Sequence, residues 1–144
     1  MKFFVDTSIF VDCLRKEYIP SSRNFLERMG DEYSGYTSSI TAAELSVGAH
    51  LSRSWDALEK TLELLNIVEV IDLDSRIAID AGKIYADLIR NGKRIELNDC
   101  LIAATALSLG INRIVTRNKK HFVRIEDIEA VTPEETGFDL DPIN

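Results

Sequence analysis

The stretch that decides the fold is NDCLIAATALSLGINRIVT, residues 98–116. From Cys100 to Gly110 it is almost wholly apolar, as in a helix that is buried on most sides and ended by a glycine. Residues 111–116 then form a short apolar run that is typical of a buried strand. The stretch therefore predicts a helix that packs on a sheet and leads directly into one of its strands.

Strand and helix patterns alternate along the whole chain. Short runs rich in apolar or β-forming residues predict strands, at residues 2–6, 33–39, 67–71, 111–116 and 129–131. Apolar periodicity and cap residues predict helices, at residues 7–15, 22–29, 41–51, 55–65, from 74 to about 91, at 98–109 and from 132. This alternation predicts an α/β fold, a mostly parallel central sheet flanked by helices on both faces.

The length of 144 residues predicts one compact domain, which we place at residues 1–137. Residues 138–144 contain two aspartates and Pro142, and we expect them to form a loosely ordered tail. The two cysteines, Cys13 and Cys100, lie far apart in apolar surroundings. They are expected to be core residues, which argues against a disulfide framework or a structural zinc site.

The chain lacks an apolar run of the roughly 18 residues that a membrane span requires. Asp6 interrupts the apolar start before a signal-like segment can develop. We therefore expect a cytoplasmic protein with no membrane association. The net charge of −7 argues against nucleic acid as a partner, except that residues 113–124 carry five Arg or Lys and no acid.

Four polar side chains fall where a parallel sheet would bring them to one edge. Asp6 ends the first strand, Glu44 lies in the first turn of the helix after the second strand, Asp99 opens the helix of residues 98–109, and Asn118 follows the strand of residues 111–116. Functional sites in such sheets gather at the carboxyl ends of the strands. Three carboxylates in one pocket repel one another, and a hard divalent cation removes that cost. Mg²⁺ and Mn²⁺ favour oxygen ligands and leave positions for phosphate oxygens, so the cluster suits metal-assisted phosphodiester hydrolysis.

Two of these acids also have a purely structural interpretation. Glu44 fits a capping box with Thr41, in which the glutamate bonds back to the cap amide. Asp99 could serve only the positive end of its helix. However, Asn98 is predicted to supply that cap, which would leave the Asp99 carboxylate free for a ligand.

The other polar positions also have structural or functional interpretations. Asp6 is also compatible with a turn or cap before the first helix, whose cap we place at Thr7 or Ser8, and Asn118 with simple turn chemistry. Glu96, three residues before Asp99, is a candidate supporting group for the site. The remaining aspartates that we considered are expected on solvated faces or at caps: Asp12, Asp72, Asp74, Asp80 and Asp87.

Other enzyme classes have little support. The only histidines are His50 and His121, and the sequence contains no G-x-S-x-G nucleophile motif. It also contains no glycine-rich phosphate-binding loop. The D-x-D that a dehalogenase-like phosphotransferase needs after its first strand reads Asp6-Thr7-Ser8 here.

Four motifs together resemble a known family. They are V-D-T-S-I at 5–9, T-x-x-E-L-x-x-G at 41–48, N-D-x-L-I-A-A-x-A at 98–106 and V-T-R-N-x-x-H-F at 115–122. In order, spacing and overall length the chain resembles PIN domains, and more narrowly the toxin ribonucleases of the VapC type. The resemblance covers nearly the whole chain.

The resemblance implies an α/β/α sandwich and a Mg²⁺- or Mn²⁺-dependent endonuclease that acts on RNA. It implies that Asp6, Glu44 and Asp99 are catalytic metal ligands. Asn118 matches a fourth catalytic position that carries Asp in many members and Asn in many toxin-type members; an Asn supplies a neutral oxygen and no charge. Hydroxyls beside these positions are expected to orient ligands or waters, namely those of Thr7, Ser8 and Thr116.

The resemblance also implies a homodimer and a small antitoxin protein that inserts into the active-site groove. The basic segment flanks the expected metal site, so its cations are expected to follow the RNA backbone. These RNA-binding candidates are Arg117, Lys119, Lys120 and Arg124, with Lys93 and Arg94 extending the same rim.

Three other functions stay open at this point. One is a non-catalytic PIN-like module that binds RNA or protein, although all three acids are present. A second is a PIN nuclease of RNA maturation, which the sequence does not separate from a toxin. The third is a receiver domain, for which Asp72 is the only plausible phosphoacceptor and the required adjacent acid pair is missing.

Overall fold

A five-stranded, wholly parallel sheet forms the centre of the computed structural model, which describes residues 1–140. The strands lie in the order β3-β2-β1-β4-β5. Their bounds are β1 Lys2–Val5, β2 Ser34–Ser38, β3 Glu69–Ile71, β4 Arg113–Val115 and β5 Glu129–Val131. In the middle strand, Phe4 is paired with Tyr36 of β2 on one side and Ile114 of β4 on the other. The predicted parallel sheet is confirmed, and all five strands lie where the sequence places them.

Eight helices flank the sheet within residues 1–140. They are α1 Thr7–Leu14, α2 Pro20–Glu27, α3 Ser39–Leu51, α4 Ala57–Leu65, α5 Ser75–Arg90, α6 Leu97–Ser108, α7 Lys119–Phe122 and α8 Pro133–Thr136. The short helix α7 was not predicted. At α8 the expected capping box forms between Thr132 and Glu135. None of the described helices is both long and apolar enough to cross a membrane.

The two faces of the sheet carry two separate hydrophobic clusters. Side chains alternate along β1, so Phe4 belongs to one cluster while Phe3 and Val5 belong to the other. Helices α5 and α6 cover the Phe4 face, and α1 to α3 cover the opposite face. This arrangement is the expected α/β/α sandwich.

Part of the predicted loose tail packs against the body of the protein. The ring of Phe138 lies 4.5 Å from that of Tyr33 and 6.3 Å from that of Phe3, between ring centroids. The side-chain amide of Asn24 donates to the carbonyl oxygen of Asp139 at 3.0 Å. The apolar Phe138 thus joins an aromatic cluster, while the loose order expected of the tail stays a prediction. Residues 141–144 of that tail lie outside the described residues.

Both cysteines pack as expected. Cys100 is buried and Cys13 is partly buried. Burial raises the pKa of the Cys13 thiol to about 12 and that of Cys100 to about 11. Both thiols are therefore protonated at neutral pH, which fits a packing role.

Candidate active site

The carboxyl ends of β1 and β4 open into a cleft of about 600 Å³. The chain leaves these neighbouring strands in opposite directions, from β1 toward β2 and from β4 toward β5. Such a switch point leaves a crevice at the sheet edge, where ligands bind in open α/β folds. The cleft is lined by all four predicted catalytic residues, Asp6, Glu44, Asp99 and Asn118.

Asp6 lies at the base of the cleft and is only 2% exposed. Its Oδ2 accepts hydrogen bonds from the hydroxyls of Ser8, at 2.7 Å, and Thr116, at 2.8 Å. The same side chain accepts from the backbone N–H of Ser8 and is the N-cap of α1, so the prediction of Thr7 or Ser8 as the cap was wrong. No described donor bonds to Oδ1, which leaves that oxygen available as a ligand.

Glu44 reaches the cleft from the second turn of α3. Ser38 caps this helix by accepting from the backbone N–H of Ile40, so the predicted capping box between Thr41 and Glu44 does not form. Freed from that task, Glu44 accepts through Oε1 from the Thr7 hydroxyl at 2.9 Å. The Thr7 hydroxyl is also 2.9 Å from that of Thr41. A chain of hydroxyls thus fixes the position of the glutamate.

Asp99 is the third residue of α6 and pairs with a histidine. Its Oδ2 lies 2.8 Å from Nδ1 of His121. Asn98 is not the cap, as the sequence suggested; Glu96 holds the cap position, and its side chain makes no cap hydrogen bond. Glu96 is exposed and acts on Asp99 through its charge.

His121 contacts the site through Asp99, and its part there was not predicted from the sequence. It is the last but one residue of the motif V-T-R-N-x-x-H-F, and the unpredicted helix α7 brings it within 2.8 Å of Asp99. A signal was available, because a histidine three residues after Asn118 lies one helical turn from the strand end. Without α7, nothing in the sequence pattern brings His121 to Asp99.

The end of β4 organises the rest of the cleft. The Thr116 side chain is fully buried; besides donating to Asp6, its hydroxyl accepts from the backbone N–H of Asn118 at 2.9 Å. The Ser8 hydroxyl accepts from the backbone N–H of Arg117 at 2.9 Å. The hydroxyls of Thr7, Ser8 and Thr116 thus all lie within hydrogen-bond distance of the predicted ligands. The Asn118 side chain caps no helix and lines the cleft.

The three carboxylates influence one another electrostatically. Burial raises the pKa of Glu44, and the charges of Asp6 and Asp99 raise it further against hydrogen bonds from Thr7 and Asn98. Burial also raises the pKa of Asp99; the hydrogen bond with His121 opposes this rise, while the charge of Asp6 adds to it. Clustered carboxylates whose ionisation is disfavoured are the electrostatic setting that a bound cation would relieve.

A model of the PIN domain family matches residues 3–128. The chain belongs to the PIN domain family. Two relatives illustrate its position there. Ribonuclease VapC1 of Methanocaldococcus jannaschii is 33% identical over 126 residues, which cover 88% of this chain and 82% of that protein. The tRNA(fMet)-specific endonuclease VapC of Salmonella typhimurium is 35% identical over 132 residues, which cover 89% and 95%.

Solved structures of PIN proteins have the same fold. A chain of VapBC2 from Rickettsia felis, bound to a DNA fragment from their promoter, matches with a TM-score of 0.80 and 29% identity, covering 92% of this chain and 98% of that one. A chain of DNA-bound VapBC from Salmonella typhimurium matches with a TM-score of 0.72 and 31% identity, covering 92% and 98%. The match over nearly the full length of both chains agrees with the predicted family and fold.

PIN-domain nucleases of the VapC kind use divalent metal ions, and the donor set of this cleft suits one. Within residues 1–140, no three His, Cys, Asp or Glu side chains are already arranged closely enough to enclose an ion. Mg²⁺ is commonly held by one or two carboxylates, with waters and substrate phosphates completing its shell. Asp6 has a free oxygen, and Asp99 and Glu44 face the same cleft, so the residues fit such an open site.

Arg117, one of the predicted RNA contacts, is engaged within the protein. The Arg117 guanidinium bonds to Asp12 at 2.8 Å, to Glu134 at 2.7 Å, and to the hydroxyls of Ser21 and Ser22 at 2.9 Å each. Four of its five donors are therefore engaged within the protein. Asp12, expected on a solvated face or at a cap, is instead only 5% exposed. Its carboxylate accepts from Arg117 and, at 2.6 Å, from the hydroxyl of Ser22.

The other predicted RNA-binding residues differ in their surroundings. Lys119 is bonded to Glu135 at 2.7 Å, so its charge is already paired. Lys120 and Arg124 are exposed, and neither forms an ion pair with a residue in the range 1–140. Arg124 instead donates through Nη1 to the backbone carbonyl of Arg94 at 2.9 Å.

Proposed function

We propose that this PIN-domain protein is an endoribonuclease that hydrolyses RNA phosphodiester bonds with Mg²⁺ or Mn²⁺, and that it is the toxin of a toxin–antitoxin pair. The meeting of Asp6, Glu44 and Asp99 in one cleft at the β1–β4 crevice carries the proposal. Its RNA substrate is supported by relatives that are named ribonucleases and aligned with most of this chain.

The carboxylates would hold the ion, with Asp6 and Asp99 as the buried and half-buried ligands and Glu44 completing the acidic wall. A bound divalent ion supplies Lewis-acid chemistry: it polarises the phosphoryl group and lowers the pKa of the attacking water. Asn118 would offer a neutral oxygen toward substrate or water. The hydroxyls keep the carboxylates in place, because a ligand that is itself hydrogen-bonded loses less freedom when the ion arrives. These hydroxyls are those of Thr7, Ser8 and Thr116.

Cleavage of a mixed RNA pool tests the activity. Wild type, Asp99→Asn and the matched control Asp80→Asn are purified identically, with a denaturing step that removes any bound partner. Asp80 is an exposed acid on α5 and does not line the cleft, so its variant removes the same charge elsewhere. With Mn²⁺ or Mg²⁺ we expect cleavage by wild type and Asp80→Asn, at least about 100-fold slower cleavage by Asp99→Asn, and none with EDTA. Equal cleavage by all three proteins would contradict the proposed site.

Calorimetric titration with Mn²⁺ separates the nuclease from a non-catalytic PIN module. We expect one or more binding events in wild type that weaken in Asp99→Asn and persist in Asp80→Asn. Absence of both metal binding and cleavage in wild type would favour the binding-module alternative. Growth arrest on expression, which the Asp99→Asn variant should relieve, distinguishes a toxin from an RNA-maturation nuclease.

A groove of about 1,050 Å³ supports the antitoxin part of the proposal. It runs between α1–α2 and α3–α4 and shares Val11, Arg15 and Glu44 with the catalytic cleft. Its wall is mainly apolar, so an amphipathic peptide segment lying in it would reach the carboxylates. The related structures are VapBC complexes, which is consistent with such a partner for this chain.

Co-expression tests the antitoxin proposal. A small protein encoded beside this chain is expected to copurify with it and to suppress cleavage. Ala49→Glu, in the groove wall, should release it without altering the free protein's cleavage of RNA. Light scattering of the separated protein tests the expected homodimer.

A further inference from the structure

Basic side chains near the catalytic cleft differ in whether a carboxylate of the described residues pairs with them. On the Asp12 side, Arg117 and Lys119 are paired with carboxylates of α1 and α8. On the Asp99 side, four cations form no ion pair with any residue of the range 1–140, namely Lys93, Arg94, Lys120 and Arg124. We call these four residues the Asp99-side patch. Arg15, which lines the cleft beside Asp12, is a further cation with no ion pair among the described residues, so pairing separates Arg117 and Lys119 from the patch without making the Asp12 side neutral.

Hydrogen bonds tie this patch to the catalytic carboxylate. Arg124 donates to the backbone carbonyl of Arg94, which joins the segment after α7 to the loop between α5 and α6. The helix α7 contributes His121, whose Nδ1 is 2.8 Å from Asp99. Arg94 itself lies five residues before Asp99 in the chain. The two arginines therefore belong to linked segments, one leading into α6 with Asp99 and the other following α7 with His121.

An aromatic ring completes the patch. Arg94 donates from Nε to the hydroxyl of Tyr85 at 3.0 Å, and its guanidinium carbon lies 5.7 Å from the centre of that ring. Tyr85 is partly buried against the core between α5 and α6, so its ring is fixed while part of it faces solvent. Cations that follow a backbone, interleaved with a fixed aromatic ring, are typical of surfaces that bind single-stranded nucleic acid.

We infer that the RNA strand lies over the Asp99 side of the cleft, with its phosphates on Arg94 and Arg124 and one base against Tyr85. The inference rests on the proposed function, because it takes RNA as the ligand. The distribution of charge supports it independently. The chain carries a net charge of −7, so RNA meets general repulsion and approaches where cations are not already paired. Among the described residues, neither terminal amino group of Arg94 donates a hydrogen bond, so both can bind phosphate, whereas four of the five donors of Arg117 are engaged.

Binding of a fluorescein-labelled single-stranded RNA of about 12 nucleotides, measured by anisotropy in EDTA, tests the subsite without cleavage. The double variant Arg94→Gln/Arg124→Gln removes two charges from the patch. Arg53→Gln/Arg76→Gln is the matched control, because these exposed arginines form no ion pair among the described residues. Arg76 lies about 14 Å from Tyr85 along α5, and Arg53 lies beyond the C-terminal end of α3 and does not line the cleft. Thermal melts verify that each variant folds.

We expect Arg94→Gln/Arg124→Gln to weaken binding by about tenfold or more and to lower the slope of log K against log salt by about 1.4, as for two lost phosphate contacts. The control should stay within about twofold of wild type. Tyr85→Leu should weaken binding by about tenfold with an unchanged salt slope, because it removes stacking and no charge. In metal-dependent cleavage, the same variants should raise KM more than they lower kcat.

Two results overturn the inference in distinguishable ways. If wild type binds and cuts RNA while Arg94→Gln/Arg124→Gln matches its control, the nuclease stands and the subsite is refuted. If wild type neither binds nor cuts RNA, the proposed function fails and the subsite fails with it.

Discussion

The Arg117 network allows a quantitative prediction about stability. Replacing Arg117 by Met retains much of the side-chain volume but removes the guanidinium that bonds to Asp12 and Glu134. The Asp12 side chain is only 7% exposed and would keep a single partner, the hydroxyl of Ser22 at 2.6 Å. The variant therefore leaves a buried carboxylate largely unpaired.

The expected loss of folding free energy is the sum of the losses of two ion pairs, those of Arg117 with Asp12 and with Glu134. Removal of one partner from a buried ion pair costs roughly 3–5 kcal/mol. The bond from Ser22 remains, and the Arg117 side chain is 27% exposed, so we expect the lower limit, about 3 kcal/mol. The pair with Glu134 adds less than about 1 kcal/mol, because the Glu134 side chain is 46% exposed and screened by solvent.

Urea unfolding at pH 7, followed by circular dichroism, measures these differences. Arg117→Met should lose about 3 kcal/mol of the 5–15 kcal/mol typical of a domain, while Glu134→Gln should lose less than about 1 kcal/mol. The double variant Asp12→Asn/Arg117→Met should recover part of the loss, because no buried charge is left unpaired. A loss below about 1 kcal/mol for Arg117→Met, or no recovery in the double variant, would refute the reasoning.

Three further predictions concern titration and the cleft. Burial would raise the pKa of Glu134, but its hydrogen bonds with Arg117 and Ser21 lower that pKa to about 2. The ionised Glu134 side chain therefore stabilises the fold above the unfolded pKa of 4.5. This stabilisation is lost as the pH falls from 4.5 toward 2. Unfolding of wild type and Glu134→Gln should accordingly converge below pH 4.5. The pKa of Glu44 is raised in the folded protein, so the ionised Glu44 side chain destabilises the fold above that pKa. In EDTA, Glu44→Gln should therefore stabilise the protein by about 0.5 kcal/mol at pH 7 and leave its stability unchanged near pH 4. His121→Ala should weaken Mn²⁺ binding by about tenfold or more in calorimetry, with an unchanged urea midpoint.

The sheet and the order of its elements were predictable because each strand has a local signature. After a charged first residue, KFFV and RIV are apolar and buried, and each precedes a polar residue that ends the strand. The long helix α5 shows a clear amphipathic period and begins where Asp74 caps it, as the sequence indicated. A parallel arrangement then follows from the helices between the strands.

Helix starts were less predictable, for a physical reason. Before α1, α3 and α6 the chain offers several neighbouring residues with polar side chains that are able to cap a helix. The choice among them depends on where the preceding strand or loop turns. At α3 that point is Ser38, three residues before the expected Thr41, so Glu44 loses its predicted capping partner. At α6 it is Glu96, two residues before Asn98.

Contacts between distant segments were the other part that sequence could not supply. Arg117 and Asp12 are separated by 105 residues, and neither has a local pattern that announces a buried ion pair. A cluster of basic residues looks uniform in the sequence, whereas in the fold its members differ in whether a carboxylate lies opposite. That difference separates Arg117, which pairs with a buried carboxylate, from Arg124, which forms no ion pair among the described residues and donates to a backbone carbonyl.

Asp6 and Asp99 line the same cleft but differ in how much each contributes to folding stability. Asp6 caps α1 and satisfies the fully buried hydroxyl of Thr116, so Asp6→Ala should cost about 2 kcal/mol or more of folding stability. Asp99 is partly exposed, and the small gain from the start of α6 is offset by the unfavourable ionisation of its carboxylate. Asp99→Ala should therefore leave the free energy of unfolding, measured in urea, within about 0.5 kcal/mol of wild type. If both variants lose cleavage but only Asp6→Ala loses stability, the chemistry is separated from the fold; equal destabilisation would show that Asp99 is also a structural residue of α6.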